Sequence, residues 1–126
     1  MVEFLIVGLG GFIGSCLRFG VSKLLSVANL DFPLSTLIVN VLAGFIVGFI
    51  TGLEAQAGAL SPRRKLFLTT GMMGGLSTFS TFSIETVNLF SQGKYLYSVG
   101  NVALNLSLSL IGVVLGMALA KLIIKK

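Results

Sequence analysis

Residues Gly71-Met72-Met73-Gly74-Gly75-Leu76-Ser77-Thr78-Phe79-Ser80-Thr81-Phe82-Ser83 decide how this chain is read. They sit within an apolar stretch, 66–90, yet two adjacent glycines precede five hydroxyl residues in seven. Glycine loses more backbone freedom in a helix than any other residue, and Ser and Thr compete for backbone hydrogen bonds. The segment therefore predicts a helix interrupted near its middle. At membrane depth, such backbone persists only inside protein or beside a polar cavity. Carbonyls released there suit a cation, as in transporters with discontinuous helices; a plain kink without ion binding is the alternative.

The rest of the chain places this segment in lipid. Of 126 residues, 55% are hydrophobic and 10% charged, and the mean hydropathy is +1.02. A soluble domain carries about 25% charged residues, and a chain this small leaves much of its surface exposed. A helix needs about 20 residues to cross the hydrocarbon. Four stretches meet that length: 4–27, 34–53, 66–90 and 95–120. Open strands leave unsatisfied edges in lipid. The expected fold is thus one all-α membrane domain, 1–126, of four transmembrane helices, the third broken near the bilayer centre. The first stretch lacks a basic leader region and reads as a membrane helix rather than a removable signal.

Nine Lys and Arg against four Asp and Glu give a net charge of +5. The cations cluster at span ends, so they read as juxtamembrane charge and not as a nucleic-acid arm. One cysteine, Cys16, excludes an internal disulfide. With no histidine and scattered carboxylates, neither a metalloenzyme site nor a nucleophile–base pair is expected, and the chain does not read as an enzyme.

Sixteen glycines include four-residue stripes: Gly10 and Gly14; Gly44, Gly48 and Gly52; Gly71 and Gly75; Gly112 and Gly116. Such stripes let helix backbones approach closely, and a thin bundle of this kind is expected to bury more small-residue surface against a second subunit. Polar side chains at membrane depth mark function or a packed polar contact. Asn40 is either glue between helices or an amide donor to an anion. Phe79 and Phe82 share a helix face. They are either lipid or core residues, or a pair whose electropositive ring edges meet an anion. Asn101, Asn105, Ser109, Gly112 and Gly116 form one stripe of the last span. Arg18 either attracts an anion at a pore mouth or snorkels to headgroups. Glu85 either pairs with a cation such as Lys23 or sits at the interface.

Three segments together resemble the CrcB/Fluc fluoride channel family over essentially the whole chain. They are Gly10-Gly11-Phe12-Ile13-Gly14-Ser15-Cys16-Leu17-Arg18-Phe19, Ser35-Thr36-Leu37-Ile38-Val39-Asn40-Val41-Leu42-Ala43-Gly44-Phe45, and 71–82. The resemblance implies an antiparallel dimer in the cell membrane, with two narrow pathways that let cytoplasmic fluoride leave passively. It implies that Phe79 and Phe82 are an aromatic box, Asn40 a donor within the pathway and Arg18 a lining of the entrance. Thr81, Glu85 and Ser109 match pathway positions. The carbonyls of Gly74 and Ser77, from both subunits, match a structural Na+ site whose ion is not transported. Two positions depart from the family pattern: Asn105, where an aromatic or His is usual, and Val113, where a hydroxyl is usual.

Two rival functions share this size and charge. A multidrug/proton antiporter needs a mid-membrane carboxylate in the first span, which offers only Glu3 at its extreme end. A non-conducting assembly subunit is the other. Charge near span ends also bears on the partner. Arg63, Arg64, Lys65, Lys121, Lys125 and Lys126 lie on one side, and Lys23 and Lys94 on the other. That imbalance favours both termini in the cytoplasm. The partner is then either an oppositely oriented paralog or, if a few charges are tolerated, a second copy of the chain.

Overall fold

A computed structural model of the chain describes residues 1–58 and 60–125; Lys126, one of the cations counted above, lies outside them. Helix α1 is Val2–Ser26 and α2 is Leu34–Ala57. Residues 62–76, here α3, are continuous helix built from Pro62–Lys65, a π-helical Leu66–Met73 and Gly74–Leu76. Helix α4 is Phe79–Ser91 and α5 is Tyr95–Lys125. No strand occurs among the described residues. Helices α1, α2 and α5, with 25, 24 and 31 residues, are long and apolar enough to cross a membrane. The stretch expected as a broken third span consists of two helices, α3 and α4, separated at residues 77–78.

Local chemistry sets the ends. Glu3 in the first turn of α1 and Lys23 in its last complement the helix dipole. Gly58 closes α2 in the left-handed region at φ 56°, a conformation natural to glycine. Ser61 caps α3 by accepting the Arg64 N–H at 3.3 Å, with Pro62 in the first turn. Within α3, the Thr69 hydroxyl donates to the Lys65 carbonyl at 2.7 Å. The Gly74 N–H reaches back to the Thr69 carbonyl, five residues earlier, which is the π register. At the other end of the bundle, Asp31 and Lys94 form an ion pair at 3.6 Å. It is the only ion pair among the described residues, and Lys23 lies over the Phe19 ring at 6.0 Å. The Lys23–Glu85 pairing is therefore absent.

The helices associate as two close pairs. Helix α1 runs parallel to α3: Gly10 lies against Phe67 and Gly71, and Gly14 against Met72 and Leu76. A Cβ at Gly75 would meet the Gly11 carbonyl at 2.6 Å. Helix α2 runs parallel to α5, with Gly44 and Gly48 on Ser109 and Val113, and Gly116 on Phe45 and Phe49. The spacing of four thus marks backbone-to-backbone contact, as small-residue stripes do in lipid. Between the pairs lies a small core of Val39, Ala43, Met73 and Leu76.

The glycines sort into two classes with different expected outcomes. A Cβ at Gly48 or Gly116 would overlap the carbonyl of Val113 or Phe45, whereas nothing lies within 4 Å of one at Gly8, Gly20 or Gly100. Gly48→Val and Gly116→Val should each lower thermal stability in detergent by about 1–3 kcal/mol or more, the usual cost of overpacking. Gly8→Ala and Gly20→Ala should leave it unchanged or slightly raised. Equal melting of both sets would show that α2 and α5 do not meet along these residues.

Candidate functional site

Between α3 and α4 the chain leaves helical geometry at two residues. Ser77 (φ −78°, ψ 157°) and Thr78 (φ −152°, ψ 125°) are extended, while Gly74 and Gly75 before them remain helical. What holds Thr78 open is Asn40, reaching across from α2. The Thr78 N–H donates to Asn40 Oδ1 at 2.8 Å, and Asn40 Nδ2 donates to the Thr78 carbonyl at 3.2 Å. One side-chain amide thus pairs both backbone groups of a single residue, as a neighbouring strand does. The Thr78 hydroxyl then caps α4, accepting the Thr81 N–H at 3.2 Å.

These bonds divert the donors that a continuing helix would have aimed at earlier carbonyls. The Thr78 N–H no longer faces the Gly74 carbonyl, and the Thr81 N–H no longer faces that of Ser77. The Gly75 carbonyl accepts Arg18 Nε at 3.0 Å. Two hard oxygen donors, at Gly74 and Ser77, are therefore relieved of their helical partners, and Gly74 lies on the exposed surface of the chain.

Thr78 stands between two cavities. One, of about 400 Å³, is lined by Asn40, Ser77, Thr78, Phe79, Phe82, Asn105, Ser109 and apolar residues of α2 and α5. The other, of about 250 Å³, is lined by Arg18, Thr36, Thr78, Thr81, Glu85 and serines of α1 and α2. The sequence-predicted residues thus fall into two groups. Asn40, Phe79, Phe82 and Ser109 meet in the first cavity, and Arg18, Thr81 and Glu85 in the second. The Phe79 and Phe82 rings lie 5.5 Å apart between centroids, tilted by 56°. Their surroundings differ sharply: Phe82 is 8% exposed and Phe79 74%. In the second cavity Glu85 shares the lining with Thr36. Its Oε1 is buried without a partner among the described residues.

Behind the first cavity runs a ladder of amides that ties α4 and α5 to α2. Asn40 Nδ2 donates to Asn105 Oδ1 at 2.9 Å. Asn105 Nδ2 donates to the side chain and backbone oxygens of Asn101 at 2.8 and 3.0 Å. Asn101 Nδ2 donates to Thr86 Oγ1 at 2.9 Å, and the Thr86 hydroxyl donates to the Phe82 carbonyl at 2.8 Å. Asn101 is wholly buried and Asn105 nearly so. Both hydrogens of Asn40 are therefore engaged within the chain. Sequence reasoning placed Asn101 and Asn105 on one polar stripe but gave neither a place in the site. The signal was their four-residue spacing opposite the depth of Asn40. Thr36, one turn before Asn40, was missed for the same reason.

Comparison with known proteins converges on one family. Residues 5–117 match the family model described as CrcB-like protein, Camphor Resistance (CrcB). A Clostridium novyi protein named fluoride-specific ion channel FluC is 53% identical over 98% of this chain and 97% of its own length. A Ruminiclostridium cellulolyticum protein of that name is 46% identical over 98% and 95%. Another, from Pyrococcus horikoshii, is 43% identical over 90% and 91%.

The clamp on Thr78 predicts a stability defect larger than its one residue suggests. Asn40→Leu removes the partners of the Thr78 N–H and C=O together. Each buried polar group left unpaired costs about 1–3 kcal/mol. Thermal melting in detergent should fall by several degrees or more relative to Ser83→Ala, whose hydroxyl only returns to the Phe79 carbonyl of its own helix at 2.8 Å. Coincident melting of the two variants would mean that the amide does not hold the interruption.

Proposed function

Because the chain belongs to the CrcB family, we propose that it is a fluoride-selective channel of the cell membrane, through which cytoplasmic fluoride leaves passively. The observation that carries this reading is the gathering of Phe79, Phe82, Asn40 and Ser109 around one cavity beside the interrupted helix. With three apolar helices of crossing length, the chain is a multi-pass membrane protein. Helices α3 and α4 together make the remaining crossing. The parallel pairing of α1 with α3 and of α2 with α5 suits a chain that crosses four times in alternation.

Fluoride is small and tightly hydrated, so a pathway must replace its water with donors at every step. Ring edges of Phe79 and Phe82 carry partial positive charge and bind no competing proton. Asn40 and the Ser109 hydroxyl supply polar hydrogens in the same cavity. Arg18, Thr81 and Glu85 line the wetter cavity on the other side of Thr78, where the guanidinium draws anions from water. No energy source is coupled, and the ion follows its electrochemical gradient.

The exposed face of Phe79 fits a second subunit, arranged antiparallel, that completes each pathway. That subunit is either another copy of this chain or an oppositely oriented paralog. The same arrangement brings two pairs of Gly74 and Ser77 carbonyls together. Carbonyl oxygens without helical donors suit Na+, a hard cation that takes oxygen ligands. When bound, the ion would join the two interrupted helices by neutral ligands and would not be transported.

Fluoride efflux from proteoliposomes holding the purified protein, followed with a fluoride electrode, is the direct test. Proton flux driven by a cationic drug, without fluoride efflux, would instead indicate an antiporter, and silence in both assays an assembly subunit. Phe79→Ala and Phe82→Ala should each reduce efflux at least about tenfold, one lost contact of roughly 1.4 kcal/mol, while the dimer persists in size-exclusion chromatography. Undiminished efflux in both variants would make the rings packing alone. Prolonged exchange of sodium for N-methylglucamine should abolish efflux or dissociate the dimer. Full activity after that exchange would remove the sodium from the reading.

A further inference from the structure

The orientation of every amide in the ladder follows from hydrogen-bond chemistry alone, and it determines what the first cavity offers an anion. The Thr86 hydroxyl spends its hydrogen on the Phe82 carbonyl, so it faces Asn101 with lone pairs and requires Nδ2 there. Asn101 therefore turns Oδ1 toward Asn105, beside its own backbone oxygen. Two oxygens demand the amino group of Asn105, which leaves Asn105 Oδ1 facing Asn40. From the opposite end, the Thr78 N–H requires Asn40 Oδ1, which turns the Asn40 amino group toward Asn105. The two ends were reached independently, and they agree. Flipping any one amide would set like against like, oxygen on oxygen or amino group on amino group, at two or more contacts.

We propose that Asn105 is a positioning residue that sets the fluoride affinity of the pathway by holding a hydrogen of Asn40 that the anion must take. This rests on the fluoride reading above. Asn105 and Asn40 both line the first cavity. Asn40 directs one hydrogen at Asn105 Oδ1, 2.9 Å away, and the other at the Thr78 carbonyl, 3.2 Å away. The second bond belongs to the clamp that keeps the helix interrupted. The first is the one that can be given up without closing the break. Asn105 cannot follow by rotating its amide, because Asn101 holds both of its hydrogens. Anion binding therefore competes with a neutral acceptor fixed in place, which weakens occupancy and favours release.

The test is the fluoride concentration dependence of efflux in proteoliposomes for the wild-type chain, Asn105→Leu and Asn105→Thr. Leucine removes the acceptor at similar volume. Threonine returns its hydroxyl to the Asn101 carbonyl and is too short to reach Asn40, so it keeps the helix contact if leucine disturbs folding. Either variant should half-saturate at about 3- to 10-fold lower fluoride, the equilibrium worth of one net hydrogen bond, with a maximal rate equal to or below wild type. A merely structural role would lower the maximal rate and leave the half-saturating concentration in place. Unchanged or raised half-saturation in the folded variants, beside a conducting wild type, would overturn the inference alone. A wild type that carries no fluoride would overturn the proposed function with it.

Discussion

The structure turns on one amide. Asn40 pairs with the N–H and the C=O of Thr78 at once, and an extended residue inside an otherwise helical path cannot persist in an apolar setting without such a partner. Unsatisfied backbone groups in hydrocarbon cost several kcal/mol each. With the clamp in place, the diverted N–H groups of Thr78 and Thr81 have three consequences. They open a gap between α3 and α4, free the carbonyls at Gly74 and Ser77, and turn Phe79 and Phe82 into the larger cavity. The ring pair and the freed oxygens are therefore not separate features placed near each other. Both are results of where the helix stops.

That clamp works only if α2 and α3 are held at a fixed distance; the core of Val39, Ala43, Met73 and Leu76 lies between them, and the glycines fix each of the two helices to its own partner. Helix α3 is seated on α1 through Gly10, Gly14 and Gly75, and α2 on α5 through Gly44, Gly48 and Gly116. Backbones in direct contact have little freedom to slide, since each added Cβ would meet a carbonyl oxygen. Arg18 reinforces the first pair by donating to the Gly75 carbonyl, one residue beyond the freed oxygen of Gly74. The amide ladder then ties α5 and α4 to α2, so the three helices bordering the larger cavity share one hydrogen-bonded network.

Much of this was legible in the residues, for identifiable reasons. Composition and span length gave the membrane class, and the spacing of four gave the contact stripes, because both are one-dimensional properties of a helix. The hydroxyl run after Gly75 announced an interruption. Its position was less visible: the glycine pair invites a break at itself, yet Gly74 and Gly75 stay helical, with α1 packed against Gly75, and the chain opens at Ser77 and Thr78. What no spacing could show is that Asn40 serves a backbone group 38 positions away, or that both of its hydrogens are engaged. Nor could the sequence show that Glu85 lies in the Arg18 cavity with Thr36 rather than beside Lys23. Those are long-range pairings, and they depend on how two helix pairs are set against each other.

The division of the polar residues between two cavities carries a further physical consequence for the proposed channel. The smaller cavity holds a guanidinium and a carboxylate, groups that interact strongly with water and with bulk ions. The larger one holds rings, amides and the hydroxyl residues Ser77, Thr78 and Ser109, and no formal charge. An anion passing from one to the other leaves a charged, hydrated setting for one in which only oriented dipoles and ring edges oppose its desolvation. A fixed cation in the larger cavity would bind the ion too firmly to release it, whereas neutral donors already engaged with one another bind only as tightly as they can be redirected. The exclusion of charge from the Phe79–Phe82 cavity and the self-saturation of its amides are thus two expressions of one requirement: contacts good enough to admit a dehydrated anion and weak enough to let it go.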